Sequence, residues 1–329
     1  MVQIVNFKIN ESFKKKFLSF ISSNLFQKNK KNFKSDYWEY NTEIIKYTIR
    51  DNILSIRGNS GFYYEEKNFI KKIKKKLKNF LNIFNLSQVR YNSYAKAFEK
   101  AISLKKSLKH QVKFKKSNFI ANNIKEIKKI YPFIKFEINE HVIRSYYNIN
   151  LLNSYFEIKD KDFILEIGPG GCNLVSLLKH HFSNKCFVLV DLPETLILSI
   201  STINELFPQS KILFPNECDK KINKQFLEKY DFIFLTPAQI NLLEDNLIDL
   251  SINTNSFGEM QIDQINKYLK FIQRVSKNGS FFFNTNRIEK YAIANKNENN
   301  KVETPPTRYI DYQFFDNDIK FYEICDFKI

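Results

Sequence analysis

The sequence predicts an α/β fold with a mostly parallel sheet over residues 156–329, and three observations support this prediction. Short apolar runs alternate there with helical patterns, which is typical of βαβ units. A glycine-rich turn at 168–171 separates the first apolar run from the first helical pattern. Asp191 ends the second run about 20 residues later, where an acid can bind ribose hydroxyls.

The elements of this half can be assigned in order along the chain. Strands are predicted at 162–167, 186–191, 231–235, 249–254 and 279–284, and helices at 174–181, 194–206 and about 258–275. Residues 212–214 are either a sixth central strand or part of a connection. Residues 321–327 are predicted as an antiparallel edge strand. Together these elements predict a doubly wound, Rossmann-like sheet.

Residues 1–155 are predicted as a mainly helical, basic region that binds an acceptor substrate or a partner, or covers the pocket of the second half. Apolar residues recur at three-four spacing over 67–84 and 118–130, with lysines on the other face of the first segment. The pattern over 47–56 fits a strand or a helix. Residues 1–150 carry 32 lysines and arginines against 11 acidic residues, whereas residues 151–329 carry 20 against 24. This excess predicts an anionic partner or membrane surface, unless it reflects AT-rich codon usage.

The remaining composition favours a cytoplasmic protein. The chain has four widely spaced cysteines without a CxxC pair, which indicates reduced thiols. Its first 20 residues lack the pattern of a signal peptide, and no apolar run is long enough to span a membrane.

The glycine turn favours S-adenosylmethionine (SAM) over a dinucleotide. A dinucleotide fingerprint needs glycine at its sixth position, which is Asn173 here, and no P-loop ending follows. SAM has no phosphate, and its amino-acid and ribose groups bind carboxylates and backbone groups. The alternative is that the glycines only permit close packing. The cofactor-binding residues predicted from this pattern are Glu166, Gly168, Gly170, Gly171 and Asp191.

Three stretches resemble the bacterial sugar O-methyltransferases, which are SAM-dependent class I enzymes. They are EIGPGGCNLVSLL at 166–178, VLVDLPETL at 188–196, and DFIFLTPAQ at 231–239 paired with DLSINTNSFGEMQ at 249–261. The resemblance covers about residues 140–315. It implies methyl transfer to a sugar hydroxyl in surface polysaccharide synthesis, with a nucleotide sugar or a lipid-linked glycan as acceptor. It also implies that Thr236 and Pro237 belong to the cofactor site.

A sugar hydroxyl is a weak nucleophile and needs a base or a metal ion. Glu259 follows the fourth predicted strand, where ligands bind in such sheets, and is the first candidate for the base. His141 is the second, because a helix before the first strand can fold over the pocket. The substrate-binding residues predicted beside them are Arg144, Asn253, Asn255 and Ser256.

Structural roles compete with each of these assignments. Glu259 can simply complement the start of the following helix, His141 can be packed, and Arg144 can be solvated. Asp245, Asp249, Glu259 and Asp263 are close in sequence, but their spacing matches no metal motif, so no metal residue is assigned.

Other functions also fit parts of the sequence. The basic half suggests a nucleic-acid methyltransferase, but the Asn/Asp-Pro-Pro-aromatic motif of enzymes that methylate exocyclic amines is absent. A methyltransferase for another small molecule is a further alternative. So is a non-catalytic basic module that binds a partner or the inner face of the membrane.

Overall fold

The computed structural model describes the N-terminal region only in part and most of the second half. The described residues are 2–29, 34–59, 110–112, 140–153, 155–157, 162–182, 186–287, 289–290, 293–296, 300–303, 307–314 and 320–322. The predicted helices at 67–84 and 118–130 lie outside these residues.

A six-stranded parallel sheet forms the centre of the protein. Its strands are β5 (Phe163–Ile167), β6 (Cys186–Val190), β7 (Ile212–Leu213), β8 (Phe232–Leu235), β9 (Ile248–Thr254) and β10 (Ser276–Thr285). They lie in the order β10-β9-β5-β6-β8-β7, and every neighbouring pair is parallel. The predicted doubly wound α/β fold is therefore confirmed. Residues 212 and 213 form an edge strand.

Helices cover both faces of this sheet because its strands are apolar on both sides. The helices are α4 (Glu140–Asn153), α5 (Asn173–His181), α6 (Pro193–Leu206), the short α7 (Lys224–Leu227) and α8 (Ile262–Val275). Alternate strand residues such as Ile164 and Phe187 pack with α4, α5 and α6 in one cluster. The intervening residues, such as Leu165 and Val188, pack with α8 in another.

The N-terminal segment contains strands as well as helices. Its elements are β1 (Val2–Lys8), α1 (Glu11–Ser22), α2 (Asn24–Asn29), α3 (Asp36–Glu43), β2 (Lys46–Arg50) and β3 (Ile53–Asn59). The strands form an antiparallel sheet in the order β1-β3-β2. Residues 47–56 are thus a hairpin, with Asp51 in the left-handed region at φ 51°. Buried residues Phe7, Phe17 and Phe20 join the cluster that covers the central sheet.

The C-terminal part differs from the prediction of an antiparallel edge strand. The strand β15 (Lys320–Tyr322) pairs in parallel with β4 (His110–Val112), outside the central sheet. Between Thr285 and this strand the chain makes two short antiparallel pairs, β11 (Glu289–Lys290) with β14 (Thr307–Arg308) and β12 (Ile293–Lys296) with β13 (Asn300–Glu303). The prediction was wrong because an apolar run does not specify its partner strand.

The described helices are too short or too polar for a membrane span. None of them could cross a lipid bilayer.

Candidate cofactor and acceptor site

A cavity opens at the carboxyl ends of β5 and β9. After β5, the strands β6, β7 and β8 lie toward one edge of the sheet, whereas β9 and β10 lie toward the other edge. The chain therefore reverses direction between β5 and β9, and ligands of open α/β sheets bind at such a point. Glu166 at the end of β5 and Thr254 at the end of β9 both line the cavity.

The glycine turn forms the floor of the cavity. Gly168 and Gly170 have φ angles of 71° and 53°, which side chains rarely adopt. A Cβ at position 168 would also overlap the side chain of Ser256, so this position requires glycine. The Ser199 hydroxyl donates to the Gly170 carbonyl at 2.6 Å and fixes the turn. Gly171 lines the cavity as well, as predicted.

Two carboxylates, the buried Glu166 and the half-buried Asp191, stand beside this turn. Asp191 accepts from the N–H of Gly170 at 3.0 Å and from the N–H of Leu192 at 2.7 Å. Burial and the charge of Glu259 nevertheless raise the pKa of Asp191 to about 7. Burial and the charge of Asp191 raise the pKa of Glu166 to about 8. The Oε2 atom of Glu166 is buried without a hydrogen-bond partner within the protein.

Glu259 lies in a short 3₁₀ turn between β9 and α8 and lines the same cavity. Asp191 lines this cavity too, and the charge of Glu259 contributes to the raised pKa of Asp191. Tyr268 of α8 also lines the cavity, and burial beside Asp191 raises the pKa of its phenol. Part of the cavity wall is therefore built by α8 and the turn before it.

An amide network holds the loop after β9. The fully buried Asn253 donates to the Ile167 carbonyl at 2.9 Å and to the Ser256 hydroxyl, and it accepts from Asn286 at 2.7 Å. Asn253 does not reach the cavity, whereas Asn255, at φ 63°, and Ser256 line it. The side chain of Asn253 thus orients the loop without lining the cavity itself.

Helix α4 borders the cavity, and its residues His141 and Arg144 are part of the cavity lining. The Ser145 hydroxyl donates to the His141 carbonyl at 2.8 Å, one turn along the helix. Both candidate bases, Glu259 and His141, therefore border the same space, together with the predicted Arg144.

The N-terminal segment closes one side of the cavity with residues that the sequence analysis did not name. Ser35 and Trp38 line the cavity from the start of α3. The Ser35 hydroxyl donates to the Glu259 carbonyl at 2.7 Å. Just before it, Lys34 forms a buried ion pair with Glu194 at 2.6 Å. No local pattern marks these residues, because they lie more than 100 positions before the glycine turn.

Thr236 and Pro237 are not brought to this cavity. The N–H and hydroxyl of Thr236 both donate to Gln239, which itself bonds to the carbonyls of Pro215 and Cys218. Their strand, β8, lies beyond β6, so its end is one strand further from the point where the chain reverses.

The acidic residues considered for a metal site are spread apart. Asp245 pairs with Arg274, and Asp249 pairs with Lys277 at 2.7 Å. Over the described part of the chain, no three histidine, cysteine or acidic side chains are grouped as metal ligands.

Comparisons with known proteins find similarity to solved structures only. No protein-family model matches the sequence, and no curated protein matches it. Solved structures that it resembles include a SAM-dependent methyltransferase from Aquifex aeolicus, with 17% identity, a TM-score of 0.32, and coverage of 50% of this chain and 72% of that chain. Another is Haemonchus contortus phosphoethanolamine N-methyltransferase 2, with 15% identity, a TM-score of 0.30, and coverage of 44% and 28%.

The YcgJ protein of Bacillus subtilis is also similar, with 14% identity and a TM-score of 0.31 over 44% of this chain. The chain spans 51% of the length of YcgJ. Similarities at these scores carry no argument about activity or ligand, so the functional argument depends on the geometry of the cavity.

The geometry fits SAM in three respects. The unpartnered Glu166 Oε2 atom suits an ammonium donor. Asp191 lies at the end of the second strand, where ribose hydroxyls bind in related sheets. The glycine turn leaves backbone surface open to a ligand without a Cβ at positions 168, 170 and 171.

Proposed function

We propose that this protein is a SAM-dependent methyltransferase that methylates a sugar hydroxyl. The observation that carries the proposal is the pair of carboxylates at the glycine turn where the sheet reverses, the buried Glu166 and the half-buried Asp191. An unpaired buried carboxylate is costly, and a cationic ligand offsets that cost. SAM carries both an ammonium and a sulfonium group, whereas the pyrophosphate of a dinucleotide would add negative charge.

The residues around the cavity divide into a cofactor part and an acceptor part. We assign Glu166, Asp191 and the turn at 168–171 to the cofactor. The acceptor part contains hydroxyl, amide and carboxylate groups, which match a ligand rich in hydroxyls. Its members are Glu259, Asn255, Ser256, His141 and Arg144.

Bound SAM would supply a methyl group on a sulfonium carbon, to which an acceptor oxygen bonds as the carbon–sulfur bond breaks. Glu259 accepts the proton that the acceptor hydroxyl loses in this step. We favour Glu259 over His141 because it directly follows β9, at the end of the strand that borders the glycine turn. Arg144 provides a positive charge for an acidic sugar or a nucleotide-sugar phosphate.

The wider role follows the resemblance to the sugar O-methyltransferases. We propose that the protein acts in the cytoplasm in the synthesis of a surface polysaccharide. The acceptor is then a nucleotide sugar or a lipid-linked glycan, and the basic N-terminal half contacts the anionic inner face of the membrane.

Calorimetry on the full-length protein tests the cofactor assignment. We expect SAM and S-adenosylhomocysteine (SAH) to bind and NAD not to bind. Gly170→Val should abolish SAH binding, because a branched side chain is strained at φ 53° and fills the space above the turn. A protein that binds NAD but neither SAM nor SAH would refute the proposal.

A further inference from the structure

We infer that residues 34–43 of the N-terminal segment contribute one wall of the acceptor part of the cavity, and that Trp38 is the side chain against which the ring of the acceptor packs. The inference rests on the proposed function, since it assigns one part of the cavity to the molecule that receives the methyl group. It gives the N-terminal segment a direct role in choosing the substrate.

The first turn of α3 lies at the catalytic end of the cavity. Ser35 is the N-cap of α3, and its hydroxyl donates to the carbonyl of Glu259, the residue assigned as the base. Trp38 follows one turn later and lines the same cavity with 8% of its surface exposed. Because Ser35 contacts Glu259 and lies one turn before Trp38, we place the indole in the part of the cavity assigned to the acceptor.

A buried ion pair fixes α3 in this place. Lys34 contacts Glu194 at 2.6 Å, and the two side chains are 7% and 8% exposed. The same ammonium donates to the Thr42 hydroxyl at 2.8 Å, so one lysine connects both ends of α3 with the start of α6. Buried ion pairs are weak contributors to stability compared with apolar packing, but they fix geometry. We assign Lys34 as a positioning residue for Trp38.

The combination of groups indicates the class of acceptor. A pyranose ring has an apolar C–H face and a rim of hydroxyls. An indole offers a large, rigid apolar face with few rotatable bonds, while Glu259, Asn255 and Ser256 provide acceptors and donors for hydroxyls. A cavity with both features fits a ring that is apolar on one face and polar at its edge.

Tryptophan fluorescence allows a direct test, because Trp38 is the only tryptophan in the chain. The SAH-loaded protein is titrated with methyl α-glucopyranoside, UDP-N-acetylglucosamine and UDP-glucuronic acid. We expect at least one of them to change the Trp38 emission in a saturable way and to protect it from acrylamide. Transfer of labelled methyl from SAM to that same pyranoside is then measured.

The variants separate an acceptor role from a structural one. Trp38→Ala should raise the KM for the pyranoside roughly 10- to 100-fold, with SAH affinity within about three-fold of the wild type. Trp38→Phe keeps an aromatic ring and should restore most of the activity. Lys34→Met should red-shift the Trp38 emission and lower transfer. The control Tyr47→Ala changes an aromatic residue of the neighbouring strand β2, outside the cavity, and should leave KM unchanged.

Three results would overturn the inference while leaving the proposed function intact. The first is a loss of SAH affinity of more than about ten-fold in Trp38→Ala, which would assign the indole to the cofactor. The second is unchanged methyl transfer in Trp38→Ala. The third is the absence of both binding and methylation for every pyranoside. If SAH itself does not bind the wild type, the proposed function fails instead.

Discussion

Replacing Glu166 with glutamine should stabilise the protein in the absence of a ligand, and only at high pH. Burial raises the pKa of this carboxyl from 4.5 to about 8 in the folded state. Below about pH 4.5 both the folded and the unfolded chain hold the proton, so its ionisation costs nothing. Between these pKa values the folded chain keeps a proton that the unfolded chain has released, and stability falls as the pH rises.

The pKa shift sets the size of the effect. A rise from 4.5 to about 8 corresponds to roughly 4–5 kcal/mol of lost stability above pH 8, since each pKa unit represents about 1.4 kcal/mol. Glutamine has nearly the same shape but cannot ionise. Glu166→Gln should therefore gain most of this energy at pH 8.5 and about 1 kcal/mol or less at pH 5.

Urea unfolding of the apo protein at pH 5 and pH 8.5 measures both values. The exposed Glu43→Gln is the matched control and should change stability little at either pH. SAM should stabilise the wild type but not Glu166→Gln, because the variant lacks the charge that binds the cation. This reasoning would be refuted if Glu166→Gln were less stable than the wild type at pH 8.5. It would also be refuted if the substitution raised the free energy of unfolding by the same amount at both pH values.

Two further predictions concern the floor of the cavity and the base. Gly168→Ala should lose SAH binding, because its Cβ would overlap Ser256. The control is Gly279→Ala, which has a similar φ of 76° but open space around it. This variant should lose only about 1–2 kcal/mol of stability through backbone strain, with SAH binding unchanged. Calorimetry that finds an equal loss of SAH affinity in Gly168→Ala and Gly279→Ala would contradict the steric argument. Glu259→Gln should lower turnover roughly 10²- to 10⁴-fold, with SAH affinity within a few-fold of the wild type. His141→Gln should lower turnover in this way only if histidine is the base, and the pH profile of the activity would then lose a limb near neutrality. Unchanged turnover in both variants would remove the proton acceptor from the mechanism.

The central sheet could be predicted from sequence because its strands are buried on both faces. Every residue of β5, β6 and β8 is buried, so these strands appear in the sequence as continuous apolar runs between turn residues. The pattern over 47–56 left strand or helix open, since so short a pattern fits a period of two or 3.6 equally well. The antiparallel pairing of β2 with β3 and the left-handed Asp51 in their turn show that the chain forms a hairpin.

The cofactor side of the cavity was also accessible to sequence reasoning, and the acceptor side was not. Glu166, the glycines and Asp191 lie within one βαβ unit, so their proximity follows from local structure. The order of the strands cannot be read in this way, which is why Thr236 and Pro237 follow a strand end yet lie outside the cavity. Trp38 reaches the cavity only through tertiary packing.

This packing makes the N-terminal segment and the sheet one structural unit, and equilibrium unfolding can test that conclusion. Phe13 contacts Phe214 with ring centroids 5.7 Å apart, and Lys16 pairs with Glu217 at 2.9 Å. Removing the segment would expose one side of the apolar cluster that covers the sheet and leave Glu194 buried without Lys34. We therefore expect Trp38 fluorescence, which reports on the segment, and far-UV circular dichroism, which reports mainly on the sheet and its helices, to follow a single coincident urea transition. A fluorescence transition at lower urea than the circular dichroism transition would show that the segment unfolds independently. Lys34→Met should then shift the urea midpoint of the fluorescence transition only.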